Sequence, residues 1–273
     1  MLRVFRRSVC NMLVSYFRRE IMEHENAWEL VEGMFLQKFL RAFKIDCVFD
    51  VGANLGEYAL RLRNLGFRDL IISFEPNPDV LAALTELSNK DEKWIVIPTA
   101  LDATIHEVEF NIMKRSAFSS FHEPDHSGTT RFSRLNVVNR KIKLTTQTLK
   151  AVFPSLQSTF SFSRPFLKVD TQGHDTEVIK GAGELMRAFV GLQSELSFFP
   201  LYKEAPLAAE AIEIYRREGF RLSALLPNTG GHFPDLYEVD CIMYNTRFKR
   251  SPSYRPAPLD TGRVRRPTIS RYL

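Results

Sequence analysis

Residues 48–59 read VFDVGANLGEYA, and this stretch decides the fold. Val48, Phe49 and Val51 make a short apolar run of the kind that lies buried in a parallel sheet. Gly52, Asn54 and Gly56 follow in quick succession, as in a tight turn at a strand's carboxyl end. LGEYALRLRNLG then repeats its apolar residues at helical spacing. A strand, a glycine turn and a helix in that order predict a place where a ligand approaches the backbone closely.

The same rhythm extends outward in both directions. IDCVFDV is the first strand, LIISFEP the second and KWIVIPTAL the third, with NPDVLAALTELSN a helix between the last two. From His106 to Thr146 the rhythm breaks. HEVEFNIMK and RKIKLTT alternate apolar and polar residues, as antiparallel strands do, around a polar loop. It resumes with PFLKVDT as a strand, EVIKGAGELMRAF as a helix and VGLQSELS as a strand. A helix from about Leu207 to Glu218 leads into FRLSALL, and EVDCIMYN closes the series. Seven strands with helices between them predict a doubly wound, Rossmann-like α/β sheet whose last two strands form an antiparallel edge. The expected organisation is a helical extension over 1–44, a domain over 45–247 with a β-hairpin insertion at 106–146, and a basic flexible tail over 248–273.

A chain of 273 residues with 44% hydrophobic and 25% charged residues has the composition of an ordinary globular domain. Cys10, Cys47 and Cys241 lie far apart, with no metal spacing and no disulfide framework. A reducing, cytoplasmic setting is the expectation. The net charge of +5 conceals an asymmetry. Residues 1–20 carry five Arg against Glu20, and residues 247–273 carry eight Lys or Arg against Asp260. The body between them holds 24 basic and 30 acidic residues. Basic ends on an acidic body argue against a nucleic-acid substrate, which asks for positive charge beside the catalytic surface. SVCNMLVSYF is too short to cross a membrane, which takes about 20 apolar residues. Leu2, Phe5, Val9, Leu13 and Phe17 share one helical face flanked by Arg residues. That face suits peripheral contact with an anionic membrane, and equally a packing or dimerising helix.

The turn itself narrows the ligand. D-V-G-A-N-L-G is not the G-x-G-x-x-G of dinucleotide folds, and an acid precedes its first glycine. A pyrophosphate disfavours a carboxylate so close to it, and no Walker lysine follows. Glu75, at the end of ISFEP, stands where an acid accepts the two hydroxyls of a ribose. One acid at the first turn and another after the second strand form the pattern of an S-adenosylmethionine site.

DVGANLG, ISFEPNP, LKVDTQGHDTEVIKGAG and LQSELSFFPLY closely resemble the FkbM-type methyltransferase family, from about Ile45 to Tyr244. The resemblance implies a class I methyltransferase fold and S-adenosylmethionine-dependent O-methylation of a sugar, glycolipid or polyketide-like acceptor. On that basis Asp50, Gly52, Asn54 and Gly56 are expected along the methionine half of the cofactor, Glu75 at the ribose and Asp102 at the adenine. LKVDTQGHD is expected to carry the chemistry. Lys168 and Asp170 point to the same face of their strand, and a buried lysine needs a partner such as Asp170, Asp50 or Glu195. Asp170 and His174 are the candidate bases. Ser119, Ser120 and His122 of the insertion, with Glu195 and Tyr202, are the expected acceptor contacts.

His122 and His126 have no spacing that requires a metal, and none is expected. Two alternatives stand beside this reading: a non-catalytic module of the same fold acting through its basic ends, and a nucleic-acid methyltransferase. The second is disfavoured by VDTQG standing where an N/D-P-P-Y/F segment would lie.

Overall fold

The computed structural model describes residues 26–227 and 234–251. The apolar face of Leu2 to Phe17 and the basic tail beyond Ser251 lie outside the described residues. The elements run α1 (Asn26–Phe43), β1 (Cys47–Val51), α2 (Glu57–Asn64), β2 (Leu70–Phe74), α3 (Pro78–Ser88) and β3 (Trp94–Ile97). A hairpin of β4 (Glu107–Met113) and β5 (Val138–Thr145) follows. After it come α4 (Leu149–Phe160), β6 (Pro165–Val169), α5 (Asp175–Ala182), β7 (Gly191–Ser197), α6 (Ala208–Arg217), β8 (Phe220–Pro227) and β9 (Glu238–Asn245).

Seven strands form one sheet in the order β3-β2-β1-β6-β7-β9-β8. β1, β2, β3, β6 and β7 are mutually parallel. β9 pairs antiparallel with both β7 and β8, so the antiparallel edge pair has its reversed strand one place in from the margin. β4 and β5 form a separate two-stranded sheet. Strand order reverses between β1 and β6, and an open α/β sheet binds its ligands outside the carboxyl ends of strands at that point.

Period-two alternation sorts β1 onto two faces. Cys47, Phe49 and Val51 enter a core with Phe74, Phe153, Phe162 and Phe189. Val48 joins a second core on the opposite face with Phe39, Ile71, Phe166 and Ile242. Asp50 shares the face of Val48, and the register sets it beside Ser73 of β2 and Lys168 of β6, with Gln193 of β7 next in line. Four polar side chains thus form a row across the middle of an otherwise apolar sheet face.

α1 is docked against that face. Leu36, Phe39 and Leu40 are buried in the second core, so the expected N-terminal extension is, from Trp28 onward, an integral wall of the domain. α4 has no counterpart in the sequence reading. Its pattern is obscured by Pro154 and by its Ser and Thr content. Thr148 caps it by accepting from the Ala151 N–H at 3.1 Å, and Leu149 and Phe153 anchor it in the first core. Packing outweighs the rung that Pro154 removes.

Candidate active site

The turn after β1 is built for close approach. Gly52 has φ 76°, and a Cβ placed there would lie 1.9 Å from the Asp170 carbonyl oxygen. Asn54 is also left-handed, at φ 45°. Gly56 caps α2 at φ 83° with Trp94 and Leu84 beneath it, where a Cβ would approach both within 3.0 Å. Glu75 closes the turn from β2. Its two carboxyl oxygens accept from the Asn54 N–H at 2.7 Å and the Asn77 N–H at 2.8 Å. Burial pushes this carboxyl up to about 7 against the pull of those two bonds and of Lys168.

Beside the turn, Lys168 Nζ lies 3.1 Å from Asp50 Oδ1 and 3.7 Å from Asp170 Oδ2, and it donates to the Gly52 carbonyl at 3.1 Å. Burial works against its charge, but Asp50 and Asp170 outweigh burial and hold the ammonium above the ordinary lysine range. Asp50 also accepts from Ser73 Oγ at 3.1 Å, and Ser73 in turn accepts from Trp94 Nε1 at 2.9 Å. Asp170 is the open member of the group, with 36% of its side chain exposed.

Gln172 organises the next layer. Its Nε2 donates to Asp170 Oδ1 at 2.8 Å and to Glu195 Oε2 at 2.9 Å, while its Oε1 accepts from the Tyr202 hydroxyl at 2.7 Å. Its carbonyl accepts from Ser120 Oγ at 2.7 Å, and its φ of 56° puts it in the left-handed region. Burial, then the charges of Glu238, Asp170 and Asp240, push the Glu195 carboxyl well above the usual range. Glu238 is pushed up to about 7 by burial and Asp170, despite a hydrogen bond to Glu195. Asp240 is pushed up to about 8 by burial and Glu32, against a hydrogen bond from Gln193.

Glu75, Lys168, Asp170, Gln172, Glu195 and Asp240 line one cavity of about 1190 Å³, which runs from Glu75 and Ala100 to α1 and Arg61. That is more than the roughly 300–1,000 Å³ of a single small-ligand site, so two reactants fit. Leu30 and Met34 of α1 and Leu60 of α2 give its mouth an apolar edge. The far wall is a polar lattice. Arg61 Nη2 meets Glu32 Oε2 at 2.6 Å and donates to the Glu29 carbonyl at 2.8 Å. Gln193 Nε2 donates to Glu32 Oε1 at 2.7 Å, and the Tyr58 hydroxyl donates to Gln193 Oε1 at 2.8 Å.

Of the residues singled out in the sequence, Gly52, Asn54, Glu75, Lys168, Asp170, Ser119 and Glu195 line the cavity. Other expected contact residues stand behind its wall. Asp50 is fully buried and acts on the cavity through Lys168. Gly56 serves packing against Trp94. Asp102 faces His174, whose Nε2 is 2.9 Å from Asp102 Oδ1, while His174 Nδ1 is 3.2 Å from His122 Nε2. Burial acts against the Asp102 charge, but the His174 bond and the Ala103 N–H bring its carboxyl below the usual range. Burial and then His174 lower the His122 imidazole. Ser120 and Tyr202 are taken up in holding Gln172. Gly56 apart, the reason is common to the six polar residues among them: each satisfies a buried polar neighbour that would otherwise be left unpaired.

The sequence reading missed Gln172, Ser73, Gln193, Glu32 and Arg61. Gln172 carried a usable signal, since a glycine follows it just past the strand-end Asp170–Thr171 pair, and glycine there predicts a turn. Glu32 and Gln193 carried none, being 161 residues apart.

The methyltransferase FkbM domain matches residues 50–222. The chain belongs to the FkbM methyltransferase family. It is an S-adenosylmethionine-dependent methyltransferase. Among curated proteins it is 26% identical to the hexuronic acid methyltransferase AglP of Haloferax volcanii over 183 residues, 64% of this chain and 69% of that one. Among solved structures it is similar to the S-adenosylmethionine-bound magnesium protoporphyrin IX methyltransferase ChlM of Synechocystis PCC 6803. That match has 10% identity, covers 82% of this chain and 80% of that one, and has a TM-score of 0.44. It is also similar to Aeropyrum pernix fibrillarin with S-adenosylmethionine, at 12% identity over 80% and 76% of the two chains, TM-score 0.41.

As a member of this family the chain starts its matched segment at Asp50, so the α1 wall of the cavity lies outside the match. Among the described residues no group of three or more His, Cys, Asp or Glu side chains is placed to hold a metal ion. No helix among them is long and apolar enough to cross a membrane.

Proposed function

We propose that this enzyme methylates a hydroxyl oxygen of a sugar-type acceptor, with Asp170 receiving the hydroxyl proton. The observation that carries the reading is the placement of Asp170. Its side chain is open to the cavity at the carboxyl end of β6, fixed by Lys168 at 3.7 Å and Gln172 at 2.8 Å. The relative named for hexuronic acid methylation supports a sugar as the acceptor class.

S-adenosylmethionine supplies an electrophilic methyl group on a sulfonium. The turn fits it. Gly52 keeps the backbone clear of side-chain bulk, and the Glu75 carboxyl, already fixed by two N–H groups, retains lone pairs for ribose hydroxyls. The chain's remaining work is to orient the acceptor and take its proton. Positioning supplies most of the rate gain with so good a leaving group, and a base adds roughly 10²–10⁴-fold.

The test is release of S-adenosylhomocysteine from the purified enzyme with a panel of monosaccharides and glycosides. Asp170→Asn should lower kcat by about 10²-fold or more while a measurable affinity for S-adenosylmethionine remains. Full turnover by that variant would remove Asp170 from the base role.

A further inference from the structure

We infer that the acceptor enters this cavity with an uncharged, hydroxyl-rich end, and that an acidic sugar is a poor substrate. The inference rests on the hydroxyl-methylation reading above and narrows its acceptor class. It departs from the relative named for hexuronic acid, whose acceptor carries a carboxylate.

The charges on the cavity wall carry it. Seven carboxyl side chains line the cavity, among them Glu32, Glu75, Asp170, Glu195 and Asp240. Among the described lining residues the cations are Lys168 and Arg61, and both are already engaged. Arg61 is held by Glu32 at 2.6 Å and by the Glu29 carbonyl. Lys168 is held between Asp50 and Asp170 and bonds the Gly52 carbonyl. A uronate carboxylate drawn in from water would lose its hydration, meet like charges and find each of these cations committed. Such an unpaired buried anion is strongly disfavoured.

The acids already resist one another's charge. Glu238 and Asp170 raise Glu195, and Glu32 and Asp170 raise Asp240. A further anion would add to that repulsion. Neutral hydroxyl groups meet the opposite situation. Each brings both a donor and an acceptor to a wall rich in carboxyl groups, which can pair with it whether ionised or protonated. Gln172 and Gln193, fixed between acids, hold that wall in place.

The experiment compares methyl glucoside with methyl glucuronide, and methyl galactoside with methyl galacturonide, as acceptors for the full chain. Turnover is read as S-adenosylhomocysteine release, and binding by calorimetry to enzyme saturated with S-adenosylhomocysteine. The neutral member of each pair should bind and turn over at least about tenfold better, a gap that narrows with added salt. Glu32→Gln, which loosens the hold on Arg61, should shift the ratio of kcat/KM toward the uronides.

Equal or better binding of the uronides overturns the inference, as does binding of neither member. Selective binding of the neutral sugars without methyl transfer would uphold the inference while overturning the hydroxyl-methylation reading. The two failures are therefore distinguishable.

Discussion

Lys168 sits directly opposite Asp50 in the parallel register of β6 and β1, with Nζ 3.1 Å from Oδ1 and both side chains buried. Breaking a buried pair leaves an uncompensated charge and costs about 3–5 kcal/mol. Asp50→Asn is therefore expected to destabilise the protein by that amount. Asp50→Asn combined with Lys168→Met should recover much of the loss. Chemical denaturation of the two single variants and the double variant gives the coupling. Simple additivity would show that the pair is not linked.

Gln172 holds two acids apart and in place. Gln172→Ala should lower kcat about tenfold, equivalent to roughly 1.4 kcal/mol in the barrier, and leave affinity for S-adenosylmethionine little changed. Gln172→Glu should be worse, because a third carboxyl would stand between Asp170 and Glu195. The pH–rate profile distinguishes a positioning role from a merely structural one. Its acidic limb should move when the amide no longer donates to Asp170.

Glu75 titrates near neutrality in the free enzyme, at about 7. Ribose hydroxyls donating to it favour its ionised form, so binding S-adenosylmethionine should release a proton and strengthen as pH rises through about 7. Calorimetry in buffers of different ionisation enthalpy measures the proton directly. Glu75→Gln should abolish the release along with much of the affinity. No proton exchange between pH 6.5 and 7.5 would remove Glu75 from the ribose.

The free protein should lose stability between about pH 6.5 and pH 8. Glu75 and Glu238, at about 7, and Asp240, at about 8, are raised above their unfolded values near 4. Their protonated forms therefore favour the folded state at low pH, and that contribution disappears as pH rises to each folded value. His122, lowered in the fold, acts in the opposite sense only below about 6.5. Denaturant midpoints across the interval, without S-adenosylmethionine, should fall, and Asp240→Asn should flatten the upper half of the curve.

His174 stands between Asp102 and His122 behind the hairpin. His174→Ala should destabilise the protein by about 1–3 kcal/mol through the unpaired Asp102 carboxylate, while kcat falls less than about threefold, far short of the roughly 10²-fold minimum of a lost base. A loss of kcat as large as that of Asp170→Asn would restore His174 as the base.

Much of this was legible in the chain before any coordinates. VFDVGANLG announced strand, turn and helix because apolar run, glycine and helical period each leave a local mark. The later alternation of strand and helix signals led to the seven-stranded sheet, and the broken rhythm at 106–146 to the hairpin. Glu75, Lys168 and Asp170 were visible as acids and a base at strand ends. α4 was not, because Pro154 and its hydroxyl residues read as loop until packing of Leu149 and Phe153 is counted. The direction of Asp102, His174, Ser120 and Tyr202 was not legible either. Each is polar and near the site in sequence, and each turns away because a buried neighbour needs its hydrogen bond.

By itself the sequence determined the sheet, the turn and the types of group at the strand ends, since these depend on periodicity and on residues within a few positions of each other. Only the tertiary structure decided which groups meet. The pairing of Asp50 with Lys168 spans β1 and β6, that of Glu32 with Gln193 spans α1 and β7, and Gln172 joins two acids to the insertion. Such contacts follow from strand order and helix docking, and their energies are those of desolvated charges and hydrogen bonds, which no local pattern encodes.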